Sequence, residues 1–408
     1  MKQYSRFFCV MLAVAMVVSL LAACSKAPTE EEPVVTTKPA EETVPPTTEA
    51  IDTYERDKAE YDAMTAEQLV KKYVADPANI TVEEYCNLIA TYAFVPTTED
   101  GDFEYENKTK DAIKIVKDAG GKIPSVLDPQ VAQIMLAHPY PNARAYYYST
   151  LSSGFADQGS ATYNALLAQY SNETELFVIA NLISGASKSL GADPDYCAFV
   201  LSLADSEEIM IRRRVAVQLD RLTAADRDTL VATGIQMMSD PEKAVRNAAM
   251  ESCGDFGGDE FVEPLNAILM DVEQSDSHSS ASKGMVALWY HYNFSEAAYR
   301  ATLEYFKTES TDPDSPCWEA INELTIKTGS RYDEWRAEAS YFNEAELVEI
   351  MRQLVLDAEK AHLIKVSAVK VIGAHGTADD LNELRSVLET MEGMEKYIEE
   401  VDKQLAKK

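Results

Sequence analysis

An all-α solenoid of stacked helix pairs is the fold this sequence predicts, on three observations. From Ile51 onward apolar residues recur at helical spacing almost without interruption, and few runs alternate as a half-buried strand would. Helix starts are written out: Thr65 with Gln68, Thr81 with Glu84, Asn172 with Glu175 and Asn343 with Glu346 have capping-box spacing, and Asp128-Pro129, Asp240-Pro241 and Ser315-Pro316 put a cap before a first-turn proline. Third, one stretch recurs along the chain, as degenerate repeats do. With 408 residues, 46% of them apolar, the chain exceeds what one compact core usually holds.

Residues 1–23 combine Lys2 and Arg6 with an apolar run, residues 7–23, broken only by Ser19, and lead into Leu21, Ala22, Ala23 and Cys24. A basic start, an apolar middle and small residues before a cut make a secretion signal rather than part of the fold. The "LAAC" stretch resembles the bacterial lipobox. That resemblance implies a lipoprotein whose Cys24 thiol takes a diacylglyceryl group, anchoring the chain to the extracytoplasmic face of a cell membrane. Acyl chains bind lipid at about 0.8 kcal/mol per buried methylene, so two chains hold where one does not. An uncleaved anchor is the alternative, and it also places the chain outside the cytoplasm. No later segment is apolar enough to span a bilayer.

Residues 24–50 form a linker, and from Ser25 on it holds five Pro, six Thr and six Glu with no Gly and no aromatic. Such a composition buries too little surface to fold and reads as an extended, disordered stalk. The chain carries 37 basic and 68 acidic residues; without the two basic residues of the leader, 35 minus 68 leaves −33. That surface repels phosphate backbones and excludes nucleic acid as a partner.

Residues 51–137 read as an N-terminal helical region, interrupted at 95–109 by an exposed acidic loop. Residues 138–391 are the solenoid. Asp240, Val245-Arg246 and Ala248-Ala249 lie over Asp205, Ile211-Arg212 and Val215-Ala216, over Pro141, Ala143-Arg144 and Ala145, and over Asp357, Ile364-Lys365 and Ala368-Val369; weaker copies begin near Asn172, Ser277 and Pro313. Residues 392–408 close the chain as an amphipathic helix.

The pattern resembles the HEAT repeat. It is met at Asp240, Pro241, Val245, Arg246, Ala248, Ala249, Gly254 and Gly257, with Cys253 in the place of the family's leucine, and next best at Ile364, Lys365, Ala368, Val369, Ile372, Gly373 and Gly376. The resemblance is good over residues 205–269 and 358–388, extends through 139–342, and is poor before that. The copies around Trp289 and Trp318 depart from it, so regular stacking is least expected there. Physically, Val245, Ala248, Ala249 and Ser252 share a helix face, Phe261, Leu265, Ile268 and Leu269 give the matching stripe, and Gly254, Gly257 and Gly258 are expected to give the turn positive φ. Each pair leaves apolar surface that only the next pair covers.

Chemistry-bearing motifs are few. Cys86, Cys197, Cys253 and Cys317 form no Cys-x-x-Cys pair and sit in helical patterns as small buried groups. Ser280-x-x-Lys283 with Lys327-Thr328-Gly329 matches the serine penicillin-binding signature, but the second part lies in a helical stretch where a strand is required. Glu99, Asp100, Asp102, Glu104 and Glu106 offer calcium ligands without the loop glycine. His138, His278, His291, His362 and His375 never fall at a metal spacing, so no metal or cofactor is expected.

Binding candidates are better. Tyr146, Tyr147 and Tyr148 are consecutive, as are Trp289, Tyr290, His291 and Tyr292, and consecutive helical residues cannot all face one core. Outward-facing members would suit a protein or sugar ligand. Arg212, Arg213 and Arg214 with Arg221 form the one dense basic group; in HEAT proteins their helix usually lines the concave face. Two roles are open to them, pairing with acids of adjacent repeats or holding an acidic partner. The expected function is therefore a protein-binding or scaffold module, not an enzyme, with Arg212, Arg213, Arg246, Tyr147 and Trp289 as the contact residues and a protein or cell-envelope ligand as the partner. An alternative is an envelope enzyme acting on peptidoglycan or polysaccharide, with its pocket near Trp289, His291 and Trp318. A plain structural spacer is the third.

Overall fold

Caps set the helices. In the computed structural model, which describes residues 48–99, 101–104, 108–290, 293–308, 317–326 and 330–408, Thr65 and Thr81 accept from the amides of Gln68 and Glu84, and those two side chains accept from the threonine amides in return. Asp128 accepts from Gln130 ahead of Pro129, and Asn343 from Ala345 and Glu346, each quenching an amide of the first turn. The chain falls into a short unit, residues 1–53, and the main body, residues 54–408.

The result is an all-α helical-repeat solenoid. Its helices are α1 (Thr48–Ala63), α2 (Ala66–Tyr73), α3 (Val82–Ile89), α4 (Lys108–Asp118), α5 (Pro129–Leu136), α6 (Pro141–Leu151) and α7 (Ala161–Gln169). Then follow α8 (Leu176–Leu190), α9 (Pro194–Leu201), α10 (Ile209–Gln218), α11 (Arg227–Met237), α12 (Lys243–Phe256), α13 (Val262–Leu269) and α14 (His278–Ala287). The last are α15 (Glu296–Thr308), α16 (Cys317–Glu323), α17 (Ser330–Glu338), α18 (Glu344–Leu356), α19 (His362–His375), α20 (Ala378–Leu388) and α21 (Glu395–Leu405). Among the described residues there is no strand, only one antiparallel bridge between Thr97 and Phe103.

Helices α6, α8, α10, α12, α14, α16, α19 and α21 stack in that order as one row, and the intervening helices pack against it. Starts in this row recur at about 33 to 45 residues, the longest step falling between α16 and α19, where the extra helix α17 intervenes. That is where the departing copies were expected. The matching stripes are as expected: Val245, Ala249 and Ser252 are buried on α12, and Phe261, Leu265, Ile268 and Leu269 against them. The four cysteines of the described part are all free and buried.

Three local expectations are corrected. Asn172 does not start a helix: it lies in a 3₁₀ turn, and α8 begins after Glu175, which makes no cap bond. Asp240-Pro241 precedes rather than starts α12, because the Asp240 carboxylate accepts from the Glu242 amide one turn early and a cation from the previous repeat claims the rest of it. Gly257 and Gly258 have φ of −69° and −169°, so neither needs a left-handed backbone. The glycines serve close approach instead. Gly254 lies inside α12, where a Cβ would fall 2.7 Å from the Cα of Gly284 on α14, and at Gly257 it would fall 2.3 Å from the Cys253 carbonyl oxygen. The Ser315-Pro316 cap lies outside the described residues.

Candidate functional site

Two of the expected contact residues are core. Tyr147 is fully buried on α6 and donates to the Val126 carbonyl at 3.0 Å. The neighbours on either side are also used: Tyr146 stacks on Tyr92 at 3.7 Å, and Tyr148 donates to Glu173 at 3.2 Å. Helix α6 is packed by α5, α8 and the turn around residues 90–94, so apolar surface on several sides of it is covered. Trp289 is likewise fully buried; its indole donates to Thr302 at 2.9 Å, and its carbonyl accepts from Trp335 and Tyr341 at 2.6 and 2.7 Å. Trp289 follows the end of α14, which frees that carbonyl for two outside donors. Trp318 is half-buried on α16, and His291 lies outside the described residues, as does Cys24.

The arginines are committed to the repeat. Arg212 reaches both Asp240 oxygens at 2.7 and 3.1 Å while its other amino group donates to the Ser206 carbonyl at 2.8 Å, six residues back. Arg246 repeats the move with the Asp240 carbonyl at 2.9 Å and Asp276 at 3.3 Å. Arg144 does the same with the His138 carbonyl and a two-pronged pair to buried Glu173. One arginine per helix thus closes the turn behind it and grips the acid of the following repeat. Of the two roles left open for the basic group, Arg212 takes the pairing one; Arg246, expected as a contact residue, is also paired, and Arg213, half-buried beside Arg212, is not a free cation either.

The serine-lysine motif is also structural. Lys283 is paired to Glu319 at 2.7 Å; burial alone would lower its pKa, but Glu319 and nearby acids raise it, so the amine is held protonated and cannot act as a base on Ser280. Ser280 donates to Glu251 at 2.8 Å. Residues 327–329, the other half of that motif, lie outside the described residues.

What the structure adds is a continuous face on the stacked row, covered at one end and open at the other. On α8, Phe177, Asn181, Ser184 and Lys188 follow one another at helical spacing, and beside them Met210, Arg214, Val217 and Arg221 on and just after α10 do the same. The first half of this face is covered by the loop expected to be exposed. Residues 96–99 and 101–104 pair as a hairpin, Thr98 donating to the Asp102 carbonyl at 2.8 Å and Glu104 to that of Pro96 at 2.9 Å. Asn181 donates to the Gly101 carbonyl at 3.1 Å, Asp102 pairs with Arg214, and Phe103 sits on Tyr146 and Phe177 at 5.4 and 5.5 Å. Gly101, at φ +80°, is pressed against Met210 so closely that a Cβ would fall 2.3 Å from its sulfur. Asp100 and Glu106 lie outside the described residues, and Asp102 is already paired.

Beyond the hairpin the face opens into a groove. One cavity of about 550 Å³ is lined by Ser184, Lys188, Val217, Asp220, Arg221, Glu251 and Asp255, and a second of about 250 Å³ by Glu251, Asp255, Lys283, Val286, Tyr290, Glu323 and Ile326. Glu251 and Asp255 belong to both, so the groove is continuous. Burial pushes the Asp220 carboxyl above its ordinary range despite Arg221. Asp255 is raised first by the surrounding protein and then by the like charges of Asp220 and Glu251, which Arg221 only partly offsets. Nothing in the sequence marked Asp220, Glu251, Asp255 or Glu323, because each is an ordinary polar position of its own repeat, while Arg221, Lys283 and Tyr290 stood out for other patterns.

Among the described residues no helix is long and apolar enough to cross a membrane. No protein-family model matches the chain, and no curated protein matches it. Among solved structures a crystal structure of an engineered protein is similar at 14% identity and a TM-score of 0.33, covering 84% of this chain and 98% of that one, which is too distant to carry an argument.

Proposed function

We propose that the chain is a bacterial lipoprotein, anchored through Cys24 on the extracytoplasmic face of the membrane, whose HEAT-like solenoid is a binding or scaffold module for another protein or a cell-envelope ligand. The groove along the stacked row carries this reading: five successive repeats contribute to one concave, polar, uncovered surface. Solenoids bind in this way because each repeat presents the same helix face and stacking lines the faces up. The "LAAC" motif at Cys24 and the acidic linker behind it support the anchor and the stalk.

Two measurements test it. An alkyne-tagged fatty acid fed to cells expressing the chain should label it through Cys24 and not label Cys24→Ser. A photo-crosslinking residue placed at Ser184 in the groove should give a discrete adduct in intact cells, and one placed at Thr233 on α11 should not. No adduct from Ser184, or the same adducts from both positions, would sink the binding reading.

A further inference from the structure

The hairpin of residues 96–99 and 101–104 is an internal example of what this face accepts: an extended segment lying across the helices. It is held by a side-chain amide to a backbone carbonyl (Asn181 to Gly101), an aromatic anchor (Phe103) and one charge pair (Asp102 with Arg214). The groove continues the same helix faces, with Ser184 following Asn181 and Val217 following Arg214. From α8 to α16 the row crosses five helices, about 36 Å at about 9 Å per helix, the reach of about 11 extended residues.

Charge changes sign along the way. The hairpin end is basic and is met by the hairpin's own carboxylate. In the groove, Lys188 stands exposed at the wall, Lys283 is paired to Glu319 and Arg221 to Asp220 at 3.1 Å. Among the described residues Asp255 and Glu323 make no ion pair and Glu251 accepts from the Ser280 hydroxyl, with Arg221 and Lys283 reaching these carboxylates only through longer-range charge. Among the described residues no three acidic, histidine or cysteine side chains converge as metal ligands, so these carboxylates are strung along the groove rather than gathered at a point. Val217 and Ile326, both more than two-fifths exposed, add apolar contact on its walls.

We infer that the groove takes an extended segment of a partner protein bearing lysine or arginine side chains, laid over Glu251, Asp255 and Glu323 as the hairpin is laid over Asn181 and Arg214. Complementary charge selects that occupant. The chain's own linker, with six Glu against two Lys, is repelled, and so is a second copy of a chain of net charge −31. The inference rests on the binding reading and narrows it.

The test uses the full chain in neutral detergent and two fluorescein-labelled probes about 11 residues long, one alternating Lys and Ser and one alternating Glu and Ser. The lysine probe should bind saturably and more weakly as salt rises, and the glutamate probe should not bind. Glu251→Gln with Asp255→Asn should weaken the lysine probe about tenfold while helicity stays unchanged. Asp228→Asn with Glu263→Gln, which removes the same charge from α11 and α13 in the other layer, should not. No binding of the lysine probe, equal binding of both probes, or equal weakening by the control pair overturns the inference. If Ser184 still gives a discrete crosslinked adduct while the lysine probe fails to bind, the binding reading stands and the basic ligand does not.

Discussion

Arg212 and Asp240 form a two-pronged ion pair across two successive repeats, with side-chain exposures of only 12% and 8%. The same carboxylate also accepts the Glu242 amide at 2.8 Å, so it orients the turn into α12 as well as holding α10. Removing one partner of a well-buried pair leaves the other charge stranded, at a cost of about 3 kcal/mol or more. Asp240→Ala should therefore lower the unfolding free energy by about that amount in a urea titration. Arg246→Ala should cost less, because its partner Asp276 is 47% exposed and stays hydrated. Equal small losses for both would show that the ladder does not hold the repeats together.

The pair also fixes a pH dependence. Burial alone would raise the Asp240 pKa, but the Arg212 hydrogen bonds and the Glu242 amide outweigh it and the net shift is downward. A carboxyl depressed in the folded state contributes its stability above the unfolded pKa, about 3.9, and loses it as pH falls through the lower folded value. The stability gap between the parent chain and Asp240→Ala should then be widest near neutrality and shrink below about pH 4. A gap that is flat from pH 7 to pH 3 would contradict this.

Close helix approach predicts a large effect at a residue with no side chain. Gly185 lies inside α8, and a Cβ there would fall 1.7 Å from the carbonyl oxygen of Tyr148 on α6, which is backbone and cannot step aside. In an isolated helix Gly to Ala gains about 1 kcal/mol, but here the two helices must separate, so Gly185→Ala should destabilise by about 3 kcal/mol or more. Gly159, at φ +80° with open space around it, should lose only about 1 kcal/mol as Ala. Thermal melts of the two variants decide it: similar midpoints would mean that α6 and α8 are less tightly opposed than described.

Local signals were readable in the sequence where the physics is local. Thr65, Thr81 and Asp128 cap their helices because each bonds an amide two or three residues away, and the repeat period was legible because every copy buries the same small face. The failures share a cause. Asp240 looked like a cap because its neighbours say so, yet its strongest partner is Arg212, 28 residues earlier. Residues 95–109 looked exposed because they are acidic, yet Asp102 answers an arginine 112 residues away and Phe103 a tyrosine on α6. Tyr147 and Trp289 looked outward-facing because consecutive aromatics cannot share one face. Packing on several sides of α6, and a chain that leaves its helix just before Trp289, remove that premise. The groove was invisible for the complementary reason: Asp220, Glu251, Asp255 and Glu323 acquire meaning only when four repeats stand side by side.

Trp289 separates the core from the surface. It packs against Tyr290, Tyr299, Trp335 and Phe342 at centroid distances of 5.2, 4.9, 6.1 and 5.9 Å, and closes the irregular step between α14 and the α17–α18 region. Trp289→Ala should cost about 3–5 kcal/mol, and Trp289→Phe roughly half of that, since the ring contacts survive and the bond to Thr302 does not. At a temperature where the Phe variant remains folded, capture by a crosslinker at Ser184 should be unchanged. Loss of capture without loss of stability would return Trp289 to the list of contact residues.

Asp255 should show the opposite pH sign to Asp240. Its pKa is raised, by surrounding protein first and by Asp220 and Glu251 next, so its ionised form is disfavoured in the folded chain. A carboxyl raised on folding binds its proton more tightly in the native state, so it costs stability at neutral pH and the cost disappears as pH falls below the unfolded value of about 3.9. Asp255→Asn removes the charge with little change of shape. It should raise the melting temperature at pH 7, leave it unchanged near pH 3.5, and weaken the lysine-bearing probe at pH 7. Stability held down by residues that improve binding is the pattern expected where a surface is kept for a ligand rather than for the fold. A variant melting at the same temperature as its parent at both pH values would show that the groove carboxylates are ordinary solvated surface charges.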